Sequence, residues 1–153
     1  MTRPTLDDWG LELAATISQR GTCDRRKVGC VLMNKRGHIL ATGYNGPASG
    51  APHCYDPKPN DEASLVCRGN LFTTGEGLHV CQAVHAEQNA LMQCADVSQI
   101  YTCYVTVSPC VSCVKMLLNT GCQRIVFSEA YAHDNPASLW WIALKGRGTW
   151  LKL

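Results

Sequence analysis

Apolar residues recur at helical spacing near the start of the chain, and this pattern predicts the first element. The recurring positions are Leu6, Trp9, Leu13 and Ile17. Thr5 is a favourable N-cap residue, and two acidic residues follow Leu6 in the first turn. We therefore expect a helix that begins after Thr5, ends by Gly21 and turns this apolar face towards the core.

Two apolar runs with strand-like composition follow this helix. They cover Val28–Met33 and Ile39–Tyr44, and the intervening Asn34–Gly37 has the residues of a tight turn. The pattern predicts an antiparallel hairpin. Residues 45–80 are rich in Gly, Pro, Asn and Cys and show no clean period, which is typical of a functional or disordered loop.

Helices and strands alternate in the second half of the chain. The predicted order is a helix over Ala83–Cys94, a strand over Tyr101–Val107, a helix over Val111–Leu118, a strand over Arg124–Ser128, a helix over Pro136–Leu144 and a short strand over Thr149–Leu151. This alternation predicts an α/β sandwich. Ligand sites in such sheets lie beyond the carboxyl ends of the strands.

Length and cysteine content narrow the class of protein. A chain of 153 residues fits one domain, which we expect to span residues 1–153. Its ten cysteines fall below the share of roughly 8–10% that marks a disulfide scaffold. The first residues are polar and acidic and lack the apolar core of a secretory signal. We expect reduced thiols and a cytoplasmic protein, or one of the host cytoplasm if it is viral.

Charge and hydropathy limit the partners. No stretch approaches the roughly 20 apolar residues of a membrane span, so we expect no membrane partner. The formal net charge is +2 and the isoelectric point is near 8.0, well short of a strongly basic surface. We therefore expect no stable nucleic-acid partner.

Two short motifs carry the candidate chemistry. His85 is followed two residues later by Glu87, and Pro109 precedes the thiols of Cys110 and Cys113. One imidazole and two thiolates leave the fourth position of a tetrahedral zinc ion open, as in catalytic zinc sites. Water in that position becomes acidic enough to supply hydroxide at neutral pH. Glu87 is then a spare carboxylate for proton transfer.

The spacing of the two thiols is not specific to metal sites. A redox pair or a pair of buried, inert cysteines can have the same spacing. Their combination with His85 and Glu87, in this order and within one domain length, matches the signature of zinc-dependent nucleobase deaminases. The pattern therefore favours a catalytic metal site.

Several further segments resemble the deoxycytidylate (dCMP) deaminases of the cytidine deaminase-like superfamily. The similar segments are Gly21–Cys30, Gly43–Gly46, His53–Cys54, His85–Leu91, Tyr104–Thr106 and Pro109–Cys110, together with the single residues Gly50, Lys115 and Gly121. The chain departs from the family pattern at Gly21, Cys30 and Val114, and its connection before Tyr101 lacks a basic residue that some members use on the substrate phosphate. The resemblance implies a three-layer α/β/α sandwich with a mixed central sheet of about five strands.

The resemblance also implies substrate and metal residues. Asn45 would bind the deoxyribose, Ala86 would offer its backbone to the base, and Tyr131 would reach the 5′-phosphate. A plain turn residue is the alternative for Asn45, and a half-buried core aromatic is the alternative for Tyr131. Arg26 and Lys115 are further phosphate candidates, although a solvated surface charge is the alternative for each. Some members hold a second, structural zinc, for which this chain offers Cys23, Cys54, Cys67, His79 and Cys81; scattered buried thiols are the alternative.

The implied activity is zinc-dependent hydrolytic deamination of dCMP to dUMP, which feeds thymidylate synthesis. Family members resemble one another in forming homo-hexamers, with dCTP and Mg²⁺ activating and dTTP inhibiting. The regulatory pocket would lie near the segment from Gly43 through Tyr44 and Asn45 to Gly46. Three alternatives remain open: a free cytidine or deoxycytidine deaminase, a nucleic-acid base deaminase, and a non-catalytic nucleotide-sensing protein.

Overall fold

The computed structural model describes residues 2–23, 26–53, 83–131 and 134–153. The helices are α1 (Leu6–Ser18), α2 (Ala86–Gln93), α3 (Val111–Leu118) and α4 (Asp134–Lys145), and short 3₁₀ turns cover Val97–Gln99 and Arg147–Thr149. The strands are β1 (Gly29–Met33), β2 (Ile39–Tyr44), β3 (Gly46–Pro47), β4 (Ala83–Val84), β5 (Thr102–Val107), β6 (Arg124–Glu129) and β7 (Trp150–Lys152).

Five of these strands form one mixed sheet in the order β2-β1-β5-β6-β7. The β1 strand runs antiparallel to both of its neighbours, whereas β5, β6 and β7 are parallel. The predicted hairpin between β1 and β2 is confirmed, and Gly37 adopts the positive φ of 82° that its turn requires. The remaining strands, β3 and β4, form a separate two-stranded ribbon.

Alternating side chains of the central strands fill two cores, because successive residues of a strand point to opposite faces. Val31, Met33 and Tyr104 face α1, whereas Leu32 and Cys103 pack with α2, α3 and α4 on the other face. Helices therefore cover both faces of a five-stranded mixed sheet. The predicted three-layer α/β/α architecture is confirmed, and the parallel order of β5 and β6 brings their carboxyl ends to one edge.

The predicted apolar face of α1 is partly wrong. The residues that α1 buries are Gly10, Leu11 and Ala14, whereas Leu6 is 45% exposed and Trp9 is 36% exposed. A Cβ added at Gly10 would lie 2.7 Å from ring atoms of Tyr104. Small residues thus allow α1 to lie so close to the sheet that Leu6 and Trp9 are displaced to the margin of the contact.

A polar cluster fixes α1 on the sheet. The Tyr104 hydroxyl donates to Asp7 at 2.7 Å, and the Arg124 guanidinium donates to both carboxylate oxygens of Asp7 at 2.8 and 2.7 Å. The hydrogen bond from Arg124 holds the pKa of Asp7 below its ordinary value. These contacts join the first helix to strands β5 and β6.

The predicted start of the helix over Ala83–Cys94 is also wrong. Ala83 and Val84 pair with Pro47 and Gly46 as a short antiparallel ribbon, and helix α2 begins only at Ala86. This pairing uses backbone groups that would otherwise form the first helical turn. Other predicted boundaries lie within about two residues of the observed ones. No helix within the described ranges is both long and apolar enough to span a bilayer.

Candidate active site

Two helix starts bring the predicted metal ligands together. His85 is the N-cap residue of α2, and Cys110 is the N-cap residue of α3, three residues beyond the end of β5. Cys113 lies in the first turn of α3 and is fully buried. Helix N-termini carry partial positive charge, so both helices favour thiolates and a carboxylate at this place.

The ligand atoms have the spacing that a tetrahedral zinc ion requires. His85 Nδ1 lies 3.3 Å from Cys113 Sγ and 3.5 Å from Cys110 Sγ. Zn–N bonds of about 2.05 Å and Zn–S bonds of about 2.3 Å at tetrahedral angles place nitrogen and sulfur roughly 3.5 Å apart. All three ligand atoms lie within 4.8 Å of one another. Among the described residues the cluster consists of these three side chains, which fit zinc and leave one tetrahedral position for a further ligand.

The electrostatics favour the deprotonated ligand that zinc binds. A hydrogen bond from the Cys113 thiol, together with one from His85, lowers the pKa of Cys110 to about 4. The Cys110 sulfur in turn raises the pKa of His85 above its ordinary value. The hydrogen bond to Cys110 and burial raise the pKa of Cys113 above its ordinary value, so the negative charge of the thiol pair is favoured on Cys110.

Glu87 is the buried carboxylate of the site. Its side chain belongs to the first turn of α2, and only 4% of the residue is exposed. Burial raises the pKa of Glu87 to about 7, although the neighbouring His85 acts in the opposite direction. A carboxyl group with a pKa near neutrality can both accept and return a proton at physiological pH.

Three contacts that the sequence patterns did not predict hold this helix start in place. Gln88 Oε1 accepts a hydrogen bond from the His85 backbone at 2.9 Å, and Asn89 Nδ2 donates to the Tyr44 carbonyl at 2.8 Å. Gly43 is packed against the helix itself, since an added Cβ would lie 2.3 Å from the Ala86 carbonyl oxygen. In the sequence, Asn89 was marked only by its place in the segment His85–Leu91 that resembles the family, and the resemblance assigned it no role.

Asn45 and Arg26, two predicted substrate residues, are joined to each other by a hydrogen bond. Asn45 is 7% exposed; its Oδ1 accepts from Val28 N at 2.8 Å and its Nδ2 donates to the Arg26 carbonyl at 2.7 Å. The Arg26 guanidinium forms an ion pair with Glu129. The Arg26 side chain is 31% exposed and that of Glu129 is 60% exposed, so this ion pair lies at the surface, and a role of Arg26 in phosphate binding stays a prediction.

Ala86, Tyr131 and Lys115 occupy different environments. Ala86 is fully buried at the first position of α2. The Tyr131 backbone N–H donates to Ser108 at 2.8 Å, and Tyr131 is half-buried. Lys115 Nζ lies 5.1 Å from the centroid of the Trp140 ring. Substrate contact remains a prediction for all three residues.

The described residues include only part of the predicted second zinc site and of the predicted triphosphate site. Cys23 is buried, whereas Cys54, Cys67, His79 and Cys81 lie outside the described residues. Gly43 and Gly46 are buried, and Tyr44 is 37% exposed. The space beside Gly43 is filled by helix α2. A second zinc and a triphosphate site near Gly43–Gly46 stay predictions.

Comparison with known proteins identifies the family. The family model described as the cytidine and deoxycytidylate deaminase zinc-binding region matches residues 4–129. The deoxycytidylate deaminase of Mycobacterium phage D29 is 37% identical over 130 residues, which are 84% of this chain and 98% of the phage protein. The chain belongs to the dCMP deaminase family. This membership agrees with the convergence of His85, Cys110 and Cys113.

Other members of the family differ in length. The deoxycytidylate deaminase of Saccharomyces cerevisiae is 32% identical over 142 residues, which are 90% of this chain but only 42% of the yeast protein. The apo crystal structure of dCMP deaminase from cyanophage S-TIM5 superposes with a TM-score of 0.69 at 25% identity, covering 99% of this chain and 100% of that one. The same cyanophage enzyme has been crystallised with dCMP and dUMP.

Proposed function

We propose that this protein deaminates dCMP to dUMP by zinc-dependent hydrolysis. The convergence of His85, Cys110 and Cys113 beside the buried Glu87 is the observation that carries the proposal. The reaction consumes one water, cleaves the C4–N4 bond of cytosine and releases ammonia. Membership of the dCMP deaminase family supports the choice of substrate.

The protein residues divide the chemistry between them. A zinc ion held by the three side chains supplies Lewis acidity, which makes a water molecule reactive at neutral pH. Glu87 accepts a proton from that water and delivers it to N3 of the cytosine ring. The same carboxyl group then carries a second proton to the departing amine, which leaves as ammonia. Burial of Glu87 excludes bulk water from these transfers.

The remaining groups orient the nucleotide. Ala86 lies at the N-terminus of α2, where backbone N–H groups lack helical partners and can bind the base. The Asn45 amide oxygen accepts one hydrogen bond from Val28, and its amide nitrogen donates one to Arg26. The amide retains a second N–H and a second oxygen lone pair, which bind the deoxyribose in this proposal. Tyr131, Arg26 and Lys115 bind the 5′-phosphate in this proposal.

Substrate comparison tests the proposal. Ammonia release is measured with dCMP, deoxycytidine, dCTP and single-stranded DNA at equal concentrations. Because charge-assisted hydrogen bonds contribute about 1.5–3 kcal/mol each, we expect kcat/KM for dCMP to exceed that for deoxycytidine by at least about tenfold. Equal turnover of the two would indicate a free nucleoside deaminase, and release from DNA alone would indicate a nucleic-acid deaminase. Absence of release from every substrate would indicate a non-catalytic role.

We also propose regulation and assembly of the family type. Addition of dCTP with Mg²⁺ is expected to lower the dCMP concentration needed for half-maximal rate, and dTTP to raise it. Light scattering is expected to give the mass of a homo-hexamer. Rates that are independent of both triphosphates, or a monomeric mass, would remove these parts of the proposal without affecting the chemistry.

A further inference from the structure

Ser108 lies at the junction between the metal-binding loop and the segment that carries Tyr131. It follows β5 directly, precedes Pro109 and Cys110, and is 3% exposed. Its hydroxyl donates to Asp134 Oδ1 at 2.7 Å and accepts from the Tyr131 backbone N–H at 2.8 Å. The proton and one acceptor site of this buried side chain are therefore both used.

The backbone continues this junction across the sheet edge. Val107 and Glu129 are partners in the parallel pairing of β5 and β6, and the Ser108 N–H donates to the Glu129 carbonyl at 2.9 Å. Residues 108–110 follow the carboxyl end of β5 and residues 130–131 follow that of β6, so the two segments begin side by side. That edge is where ligands bind in open α/β sheets.

Glu129 extends the same network to the other side of the site. Its side chain pairs with Arg26, and the Arg26 carbonyl accepts a hydrogen bond from Asn45. The residues proposed to hold the sugar and the phosphate are therefore joined to the metal-binding loop through Ser108 and Glu129.

We propose that Ser108 is a positioning residue, which fixes the Tyr131 segment relative to the metal-binding loop and so sets affinity for the 5′-phosphate. The inference rests on the proposed function, because it requires dCMP as substrate. Ser108 touches neither the base nor the phosphate in this proposal and acts through Tyr131 and Asp134. A purely structural role would affect all substrates alike, whereas a positioning role affects the phosphate-bearing substrate most.

The Ser108→Ala variant tests this distinction. It removes two partly buried hydrogen bonds, so we expect KM for dCMP to rise about tenfold, with kcat changed less than about twofold. A higher KM at nearly unchanged kcat indicates the loss of an interaction that stabilises the bound substrate and the transition state equally. The zinc content should equal that of the wild type, and kcat/KM for deoxycytidine should fall much less than that for dCMP.

Matched variants separate positioning from a folding defect. Ser108→Thr keeps a hydroxyl and Asp134→Asn keeps the acceptor, so both should retain more dCMP affinity than Ser108→Ala and Asp134→Ala. Ser138→Ala is the control, because Ser138 is a partly buried serine of α4 whose hydroxyl donates to the Asn135 carbonyl within the same helix. It should leave both substrates unaffected.

Two results would overturn the inference. Equal losses of kcat/KM with dCMP and deoxycytidine would show that Ser108 acts through stability, and loss of zinc would show that it supports the metal-binding loop instead. Failure of the proposed function is distinguishable, because the wild type itself would then show no preference for dCMP over deoxycytidine.

Discussion

Replacement of Gly43 by alanine tests how closely the catalytic helix must approach strand β2. A Cβ at this position would lie 2.3 Å from the Ala86 carbonyl oxygen and 2.5 Å from the Ala90 nitrogen. Real Cβ atoms essentially never show contacts under 3.0 Å, so strand and helix must separate by about 0.7 Å, the difference between 3.0 and 2.3 Å. The backbone atoms involved belong to the helix that carries Glu87.

The displacement has two expected costs. Forcing a methyl group into a close-packed contact costs about 1–3 kcal/mol of folding stability. A misplacement of about 1 Å near the reacting groups can cost about 100-fold in rate. For Gly43→Ala we therefore expect a fall in kcat/KM for dCMP of about 10-fold to 100-fold, beyond any effect of lower stability.

Steady-state deamination at about 20 °C and thermal unfolding of the same samples measure the two costs separately. Gly148→Ala is the matched control, because no heavy atom lies within 4 Å of a Cβ added at Gly148. It should behave as the wild type in both assays. Wild-type kcat/KM in a folded, zinc-loaded Gly43→Ala enzyme would refute the argument that this contact positions Glu87.

Two further predictions concern the polar cluster and the metal. Asp7→Asn removes the ion pair with Arg124 and should lower the free energy of unfolding in urea titrations. We expect a loss of only about 1–2 kcal/mol, because both side chains are partly exposed. The hydrogen bond from Arg124 lowers the Asp7 pKa from 3.8, so its contribution is present above about pH 4 and is lost as pH falls through the folded-state pKa. The stability difference between the variant and the wild type should therefore shrink on acidification, and an unchanged difference at about pH 3 would contradict this assignment. Chelation of zinc should abolish ammonia release, and added zinc should restore it. The His85→Ala variant should bind less zinc, and added zinc should not restore its activity. Full activity in metal-free protein would contradict the role of the site.

The ligand set could be predicted from the sequence because its members lie in two short motifs at helix starts. His85 and Cys110 occupy N-cap positions, and Cys113 follows within the same turn as Cys110. The strand before Cys110 was evident from its apolar, β-branched composition. Local sequence thus specifies both the ligand chemistry and the element that presents it.

Long-range contacts account for what the patterns missed. The start of α2 depends on pairing between Ala83–Val84 and Gly46–Pro47, which are far apart in sequence. The buried face of α1 depends on the space that Gly10 leaves for the Tyr104 ring. The bonds of Ser108 to Asp134 and Tyr131 arise only when β5 and β6 lie side by side. None of these contacts leaves a periodic signal along the chain.

The central claim is that His85, Cys110 and Cys113 hold zinc while Glu87 transfers protons without binding the metal. Zinc content and dUMP formation, measured on the same preparation of Glu87→Gln, test it most directly. We predict wild-type zinc content and a loss in kcat of about 10³-fold or more. Near-normal turnover, or a loss of zinc equal to the loss of activity, would contradict the claim.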